Sequence, residues 1–472
     1  MMNYRRFVLN RLARISPRWL PFADVATDEV PLSRLLRLSL FQVTVGMALV
    51  LLVGVLNRVM IVELDVPASL VAGMLALPLV FAPFRTLIGF RSDTHVSALG
   101  WRRVPYIWKG TLLQFGGFAI MPFALLVLSG YGEAVDAPRW IGLSSAALAF
   151  LLVGAGLHTV QTVGLALATD LVAEEDQPKV VGLMYVMLLL GMVVSALVFG
   201  ALLENYTPGR LVQVIQGAAV TTVALNIFAM WKQESRSWAR AQAQKPDRDF
   251  GRAWRTFTGR PGALMLLGAI GLGTFGYGMA DVLLEPYGGQ ALGLTVAQTT
   301  KLTAVLAAGT LAGFAIASRV LSGPARATSV ALWGAAIGVP AFAAIILSSA
   351  AVGPMLFVAG TFATGLGAGL FGHATLTATM RAAPAEQVGL ALGAWGAVQA
   401  TAAGIGVALG GVVRDVLVGL QGRDGAVADP ALPYNAVFGI EMLFLVLAVV
   451  ALLALQRTAA HNAPDPERLE VA

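Results

Sequence analysis

The chain has 472 residues, of which 57% are apolar and only 12% charged. A water-soluble globule of that composition would lack the polar skin that keeps it dissolved, so a soluble fold is excluded and a multi-pass membrane protein is implied. Cysteine is absent, which removes disulfides, thiolate metal sites, iron–sulfur clusters and thiol catalysis, and the net charge of +6 matters less than where the 32 Lys and Arg residues lie.

In chain order, residues 1–37 come first as a basic amphipathic cytoplasmic segment. Phe7, Val8, Leu12 and Ile15 can share one helical face while Arg5, Arg11, Arg14 and Arg18 stay wet, which suits a helix lying on an anionic leaflet; a disordered basic arm is the alternative. Twelve apolar runs long enough to cross a bilayer follow, at about 38–57, 68–90, 105–128, 140–169, 181–203, 211–231, 262–284, 298–318, 328–348, 352–379, 388–413 and 434–456. The runs are unbroken rather than alternating, so helices are predicted and a barrel is rejected. A polar, basic linker at 232–261 separates a six-helix bundle at 38–231 from a second at 262–456, and 457–472 is a tail. An even number of spans puts both termini on one side. Placing that side in the cytoplasm leaves 26 Lys and Arg facing in and six facing out, which predicts cytoplasmic termini.

Two strings recur six spans apart. Gly46-Met-Ala-Leu-Val-Leu-Leu52 in span one returns as Gly278-Met-Ala-Asp-Val-Leu-Leu284 in span seven, and Gly154-Ala-Gly-Leu157 in span four returns as Gly367-Ala-Gly-Leu370 in span ten. Parallel six-helix repeats are the architecture of major facilitator transporters. Between spans two and three, Gly89, Asp93, Gly100, Arg102 and Arg103 resemble that superfamily's cytoplasmic loop signature, with about four extra residues between Asp93 and the second glycine. An Arg pair there can clamp carboxylates or lipid phosphate. The corresponding second-half loop has Ala317 where an Asp is expected, so a symmetric latch is not predicted. The predicted fold is an all-α membrane protein with twelve transmembrane helices in a major facilitator-like, pseudo-symmetric 6+6 bundle.

Longer strings are more specific. Ala82-Pro-Phe-Arg-Thr-Leu-Ile-Gly-Phe-Arg-Ser-Asp-Thr-His95, Gly100-Trp-Arg-Arg-Val-Pro-Tyr-Ile-Trp108, Gln114-Phe-Gly-Gly117, Leu56-Asn-Arg-Val-Met-Ile-Val-Glu63 and Asp281-Val-Leu-Leu-Glu-Pro-Tyr-Gly-Gly289 resemble the PucC/LhaA family over most of the chain. That family comprises the light-harvesting assembly proteins of purple phototrophic bacteria, also called the bacteriochlorophyll delivery family. The resemblance implies a multi-pass protein of the bacterial inner, intracytoplasmic photosynthetic membrane. Its implied partners are light-harvesting antenna polypeptides, an assembling reaction-centre antenna ring, membrane lipid and bacteriochlorophyll as bound or transferred pigment. Leu32–Gln42 resembles the family's approach to span one, and the lean within the family is to the LhaA branch, serving the core antenna, over the PucC branch, serving the peripheral one.

Enzyme activity has no residue to carry it: the sequence has no P-loop, zinc motif, nucleophile elbow or dinucleotide fingerprint, and no catalytic, direct metal or nucleic-acid site is predicted. Ionisable residues at membrane depth are the remaining candidates because each is expensive there. His158 in span four and His373 in span ten can each offer an imidazole nitrogen to the magnesium of bacteriochlorophyll; a hydrogen bond to a neighbouring helix carbonyl, or proton handling, stays open for both. Asp281 and Glu285, four residues apart on one face of span seven, are candidates for an outer ion pair with Arg58 of span one, with solvated helix-end charges as the alternative. Glu441 of span twelve is expected to be lipid-facing or partner-facing, as a neutral acid bonded to a neighbour. Two rival functions accompany antenna assembly: proton-coupled export of a small amphipathic molecule, and a non-transporting membrane scaffold.

Overall fold

The computed structural model describes residues 30–80, 92, 101–130, 136–173, 176–234, 255, 258–260, 262–323, 325–349, 353–382, 388–421 and 429–461. Every regular element among them is helical. Eleven helices are long and apolar enough to cross a membrane: Leu32–Glu63, Val104–Ser129, Arg139–Thr169, Gln177–Leu202, Pro208–Met230, Ala263–Gln290, Val296–Leu321, Ala327–Leu347, Pro354–Ala382, Val388–Gln421 and Leu432–His461. A shorter apolar helix, Ala68–Val80, stands at the start of the second expected span, whose later residues lie outside those described. Numbered in chain order, with Ala68–Val80 as span two, these are the twelve predicted spans.

Local chemistry sets their ends. Span three opens with Pro105 in its first turn and closes at Gly130, whose φ of +59° turns the chain out of the helix while its N–H satisfies the last carbonyls. Span six opens with Pro208 behind Thr207, whose hydroxyl accepts from the Arg210 N–H at 3.1 Å. Span one starts at Leu32 rather than near residue 38. Arg34 and Arg37 interrupt the apolar run but not the backbone: the Ser39 N–H donates to the Leu35 carbonyl at 2.8 Å and carries the helix through. Pro31 marks its true beginning.

Contacts divide the chain into two units. The first takes in Met1–Val66, Leu77–Lys245 and Gly293–Ala307; the second takes in Pro67–Ala76, Pro246–Leu292 and Ala308–Ala472. Within the first, span four lies directly on span three, since a Cβ on Gly156 would sit 2.5 Å from the Gly110 carbonyl oxygen. Span one lies on span five in the same way, a Cβ on Gly46 falling 2.6 Å from the Leu188 carbonyl oxygen. Within the second unit, a Cβ on Gly367 would sit 2.8 Å from the Gly334 carbonyl oxygen, seating span ten on span nine. Gly278 approaches Ala403 of span eleven, its Cβ position 3.4 Å from that Cα. Both copies of each repeated string thus touch the corresponding helix, though in the Gly-Ala-Gly-Leu pair through different glycines, Gly156 in one copy and Gly367, the equivalent of Gly154, in the other. Gly-Ala-Gly-Leu joins spans four and three, and ten and nine, while Gly-Met-Ala joins spans one and five, and seven and eleven. Small residues allow this in lipid, where packing rather than water drives helices together.

The second unit adds an aromatic core. Tyr287 is fully buried, meets Phe357, Tyr434 and Phe438 edge-on at 5.4–5.7 Å between ring centroids, and donates its hydroxyl to the Ile345 carbonyl at 2.9 Å. Both spans that carry Gly-Met-Ala lose α-regularity at or just past it. Span one passes into π-helix at Val50–Leu56 and again at Val59–Glu63, and span seven breaks at Met279 between Ala263–Gly278 and Ala280–Gln290.

Candidate functional site

In the first unit, the amino-terminal end of span three gathers charge. The backbone N–H groups of Arg102, Arg103 and Val104 all donate to the Glu234 carboxylate, at 2.8–3.1 Å. A helix start leaves such donors unpaired and carries partial positive charge, so a carboxylate arriving from beyond span six completes it. The Arg102 and Arg103 side chains both reach Asp170 at the end of span four, at 2.7 and 3.1 Å, and Arg103 also donates to the Ser92 hydroxyl at 2.7 Å. Lys232, at a positive φ of 55°, turns the chain so that Gln233 exchanges hydrogen bonds with Arg34, near the start of span one. Gly89, Asp93 and Gly100 lie outside the described residues.

At the other end of span one, Arg58 is 4% exposed and pairs with Glu63, with a second hydrogen bond to the Leu294 carbonyl at 3.0 Å. Five residues separate the pair, a spacing that an α-helix splays apart and that i→i+5 π-helical bonding brings together. Nothing in the sequence signals that π-turn. Tyr206, in the loop between spans five and six, lies beside this pair; burial, then the charge of Glu63, pushes its phenol up to about 12.

In the second unit the break in span seven frees backbone donors, and Glu441 of span twelve takes one, accepting from the Ala280 N–H at 2.7 Å. Glu441 is completely buried. The expectation that it faces lipid or a partner is therefore corrected: a broken helix needs an acceptor, and that need draws the carboxyl group inward. Tyr277 in the turn before donates to the Gly334 carbonyl at 2.8 Å. Asp281 is exposed and Glu285 is buried. Farther along, Arg414 bonds Gln290 at 2.7 Å and Asp415 at 2.9 Å, and Asp415 accepts from the Ala68 and Ser69 N–H groups at the start of span two.

The two histidines are half-buried, His158 in the first unit and His373 in the second. The His373 ring lies 4.2 Å from that of Phe314, centroid to centroid, and its Nδ1 is buried without a hydrogen bond. An apolar groove of about 440 Å³ opens among spans one, five and six, and another of about 510 Å³ among spans seven, eleven and twelve; neither is lined by a histidine. Among the described residues no three His, Asp or Glu converge as metal ligands.

A family model described as PUCC protein matches residues 55–460. The chain belongs to the PUCC family. Protein PucC of Rhodobacter capsulatus is 70% identical over 95% of this chain and 97% of its own length, and Protein PucC of Rhodovulum sulfidophilum is 63% identical over 92% and 96%. The crystal structure of a bacterial homologue of the human lysosomal transporter Spinster, inward-facing and unoccupied, superposes with a TM-score of 0.67 at 16% identity, covering 92% of this chain and 98% of that one. The PUCC chain thus has the fold of a major facilitator transporter. Its family match takes in Arg58, the Arg102–Arg103 pair, both histidines and the broken span seven, and leaves out the basic amino-terminal segment.

Proposed function

We propose that this PUCC-family protein is a non-enzymatic assembly factor for a bacterial light-harvesting antenna, binding or delivering bacteriochlorophyll, escorting antenna polypeptides, or both. The observation that carries this function is identity of 63–70% to two proteins named PucC over nearly the whole chain. The same names favour the peripheral-antenna branch over the core-antenna branch toward which the sequence strings lean. The protein works in the photosynthetic membrane with both termini in the cytoplasm, as the distribution of Lys and Arg supports. His373, ring-packed on Phe314, and His158 are the proposed pigment contacts, since one imidazole is enough to serve the magnesium of a tetrapyrrole.

The test is a deletion strain together with the purified protein. Loss of one antenna class while bacteriochlorophyll synthesis continues, with pigment or antenna polypeptide bound to the purified chain, is the expected result. Normal antenna levels in the deletion strain overturn the proposal. The transporter-like fold supports a second function, proton-coupled export, which rests on Asp281 standing exposed one residue past the Glu441-capped break. Proton-driven flux in vesicles, lost on Asp281→Asn, would establish it in place of assembly.

A further inference from the structure

The two apolar grooves are built from equivalent spans: one, five and six in the first unit, and seven, eleven and twelve in the second. Only one of them ends in charge. In the first, Arg210 and Gln213 line the end formed by the start of span six, and Gly217, Thr221 and Leu225 continue the same helix face in steps of about one turn. Arg210 is exposed, and no carboxylate of the described residues pairs with it. The facing wall of span five presents Val194 and Val198, which are 57% and 47% exposed. The second groove has no charged residue in its lining, which includes the Phe275–Phe444 ring pair.

From Arg210 to Leu225 the helix rises about 22 Å. Half a bilayer including its headgroups is about the same depth. A cation and an amide at headgroup level above a track of aliphatic side chains, over the thickness of one leaflet, complement a molecule with an anionic head and a long apolar chain. We infer that the groove of spans one, five and six is a binding site for one anionic glycerophospholipid, with its phosphate on Arg210 and Gln213 and an acyl chain lying along Gly217. Gly217 gives the track its depth: a Cβ there would meet nothing within 4 Å, so a larger side chain fills the groove without disturbing a neighbour. The site is independent of the proposed role in antenna assembly.

The experiment is native mass spectrometry of the full-length protein, delipidated in mild detergent and incubated with phosphatidylglycerol or phosphatidylcholine. Wild type should retain one phosphatidylglycerol in preference to phosphatidylcholine. Arg210→Gln should lower that retention about tenfold, as expected for the loss of one hydrogen-bonded charge contact. Gly217→Leu should lower retention of both lipids, and Gly271→Leu in the second groove should change neither. Unaltered melting temperatures establish that the variants fold. Equal retention of the two lipids by wild type, or unchanged phosphatidylglycerol binding by Arg210→Gln, overturns the assignment. So does loss with Gly217→Leu alone, which would make the occupant a neutral chain.

Discussion

Arg58 is 4% exposed and its partner Glu63 is 36% exposed, and that inequality decides which loss is worse. Removing Glu63 leaves a buried guanidinium with the Leu294 carbonyl as its other acceptor, whereas removing Arg58 leaves a carboxylate already a third in water. Glu63→Ala should therefore destabilise by about 1–3 kcal/mol, discounted from a fully buried pair for the wet side. Arg58→Met, which keeps the apolar stem, should cost less. Thermal melting of the purified variants checks the order, and the reverse order would show that Arg58 matters through packing. The proposed pairing of Arg58 with Asp281 or Glu285 makes a different demand, non-additive losses in those double variants, so additivity in both cycles removes it. Glu441 supplies a second case at this scale. Glu441→Gln keeps an oxygen for the Ala280 N–H and should be nearly silent, while Glu441→Ala strands that donor and should cost about 1–3 kcal/mol. The sequence marks Glu441 as an expensive residue at membrane depth but not where it points. In a helix apolar on every side, no polar face marks the outside, so direction is set by a need on another helix.

At the scale of elements, spans are the legible feature and contacts between them only partly so. The twelve apolar runs stand out because lipid demands uninterrupted hydrophobicity; the helix start at Leu32 and the π-turns of span one do not, because hydrogen bonding sets them and composition does not. Repeated glycines are a partial exception, since two copies of one string put small residues against corresponding helices, although the glycine that makes the contact differs, Gly156 in one copy and Gly367 in the other. Close packing of this kind gives a paired prediction. Gly156→Ala drives a methyl group to 2.5 Å from the Gly110 carbonyl, where backbone cannot yield, and should cost at least ~1–3 kcal/mol of stability. Gly116→Ala on span three, with nothing within 4 Å of the new Cβ, should be neutral or slightly stabilising through helix propensity. Comparable losses in both would show that the cost of Gly156→Ala does not come from its contact with the Gly110 carbonyl. Glu234 poses the long-range problem in its plainest form. No local pattern links a carboxylate after span six to the start of span three, although the Arg102–Arg103 pair can be read as a clamp. Its replacement by Ala should cost about 0.5–2 kcal/mol, the range for a helix cap.

For the molecule as a whole, the sequence carries the fold class and the family, and leaves orientation to a statistical argument about charge that labelling can decide. Lys179 begins span five and Arg381 ends span ten, and both belong to the set of 26 basic residues assigned to the cytoplasm. Asn205, between spans five and six, and Gly289, near the end of span seven, belong to the opposite side by the same assignment. Because the natural chain has no cysteine, a single Cys at each position reacts against no background. Lys179→Cys gives up a surface ion pair with Asp176, worth about 0–1 kcal/mol. Membrane-impermeant maleimide added to intact spheroplasts should label positions 205 and 289 and spare 179 and 381, and inside-out vesicles should reverse the pattern. Moving a Lys- or Arg-rich loop across an energised membrane is what the positive-inside bias opposes, and 26 against six is a large bias. Labelling of 179 and 381 in spheroplasts would place the Glu234 clip and the Arg102–Arg103 clamp on the outer face. Arg58, Arg210 and the lipid groove would then turn toward the cytoplasm, where anionic headgroups are densest.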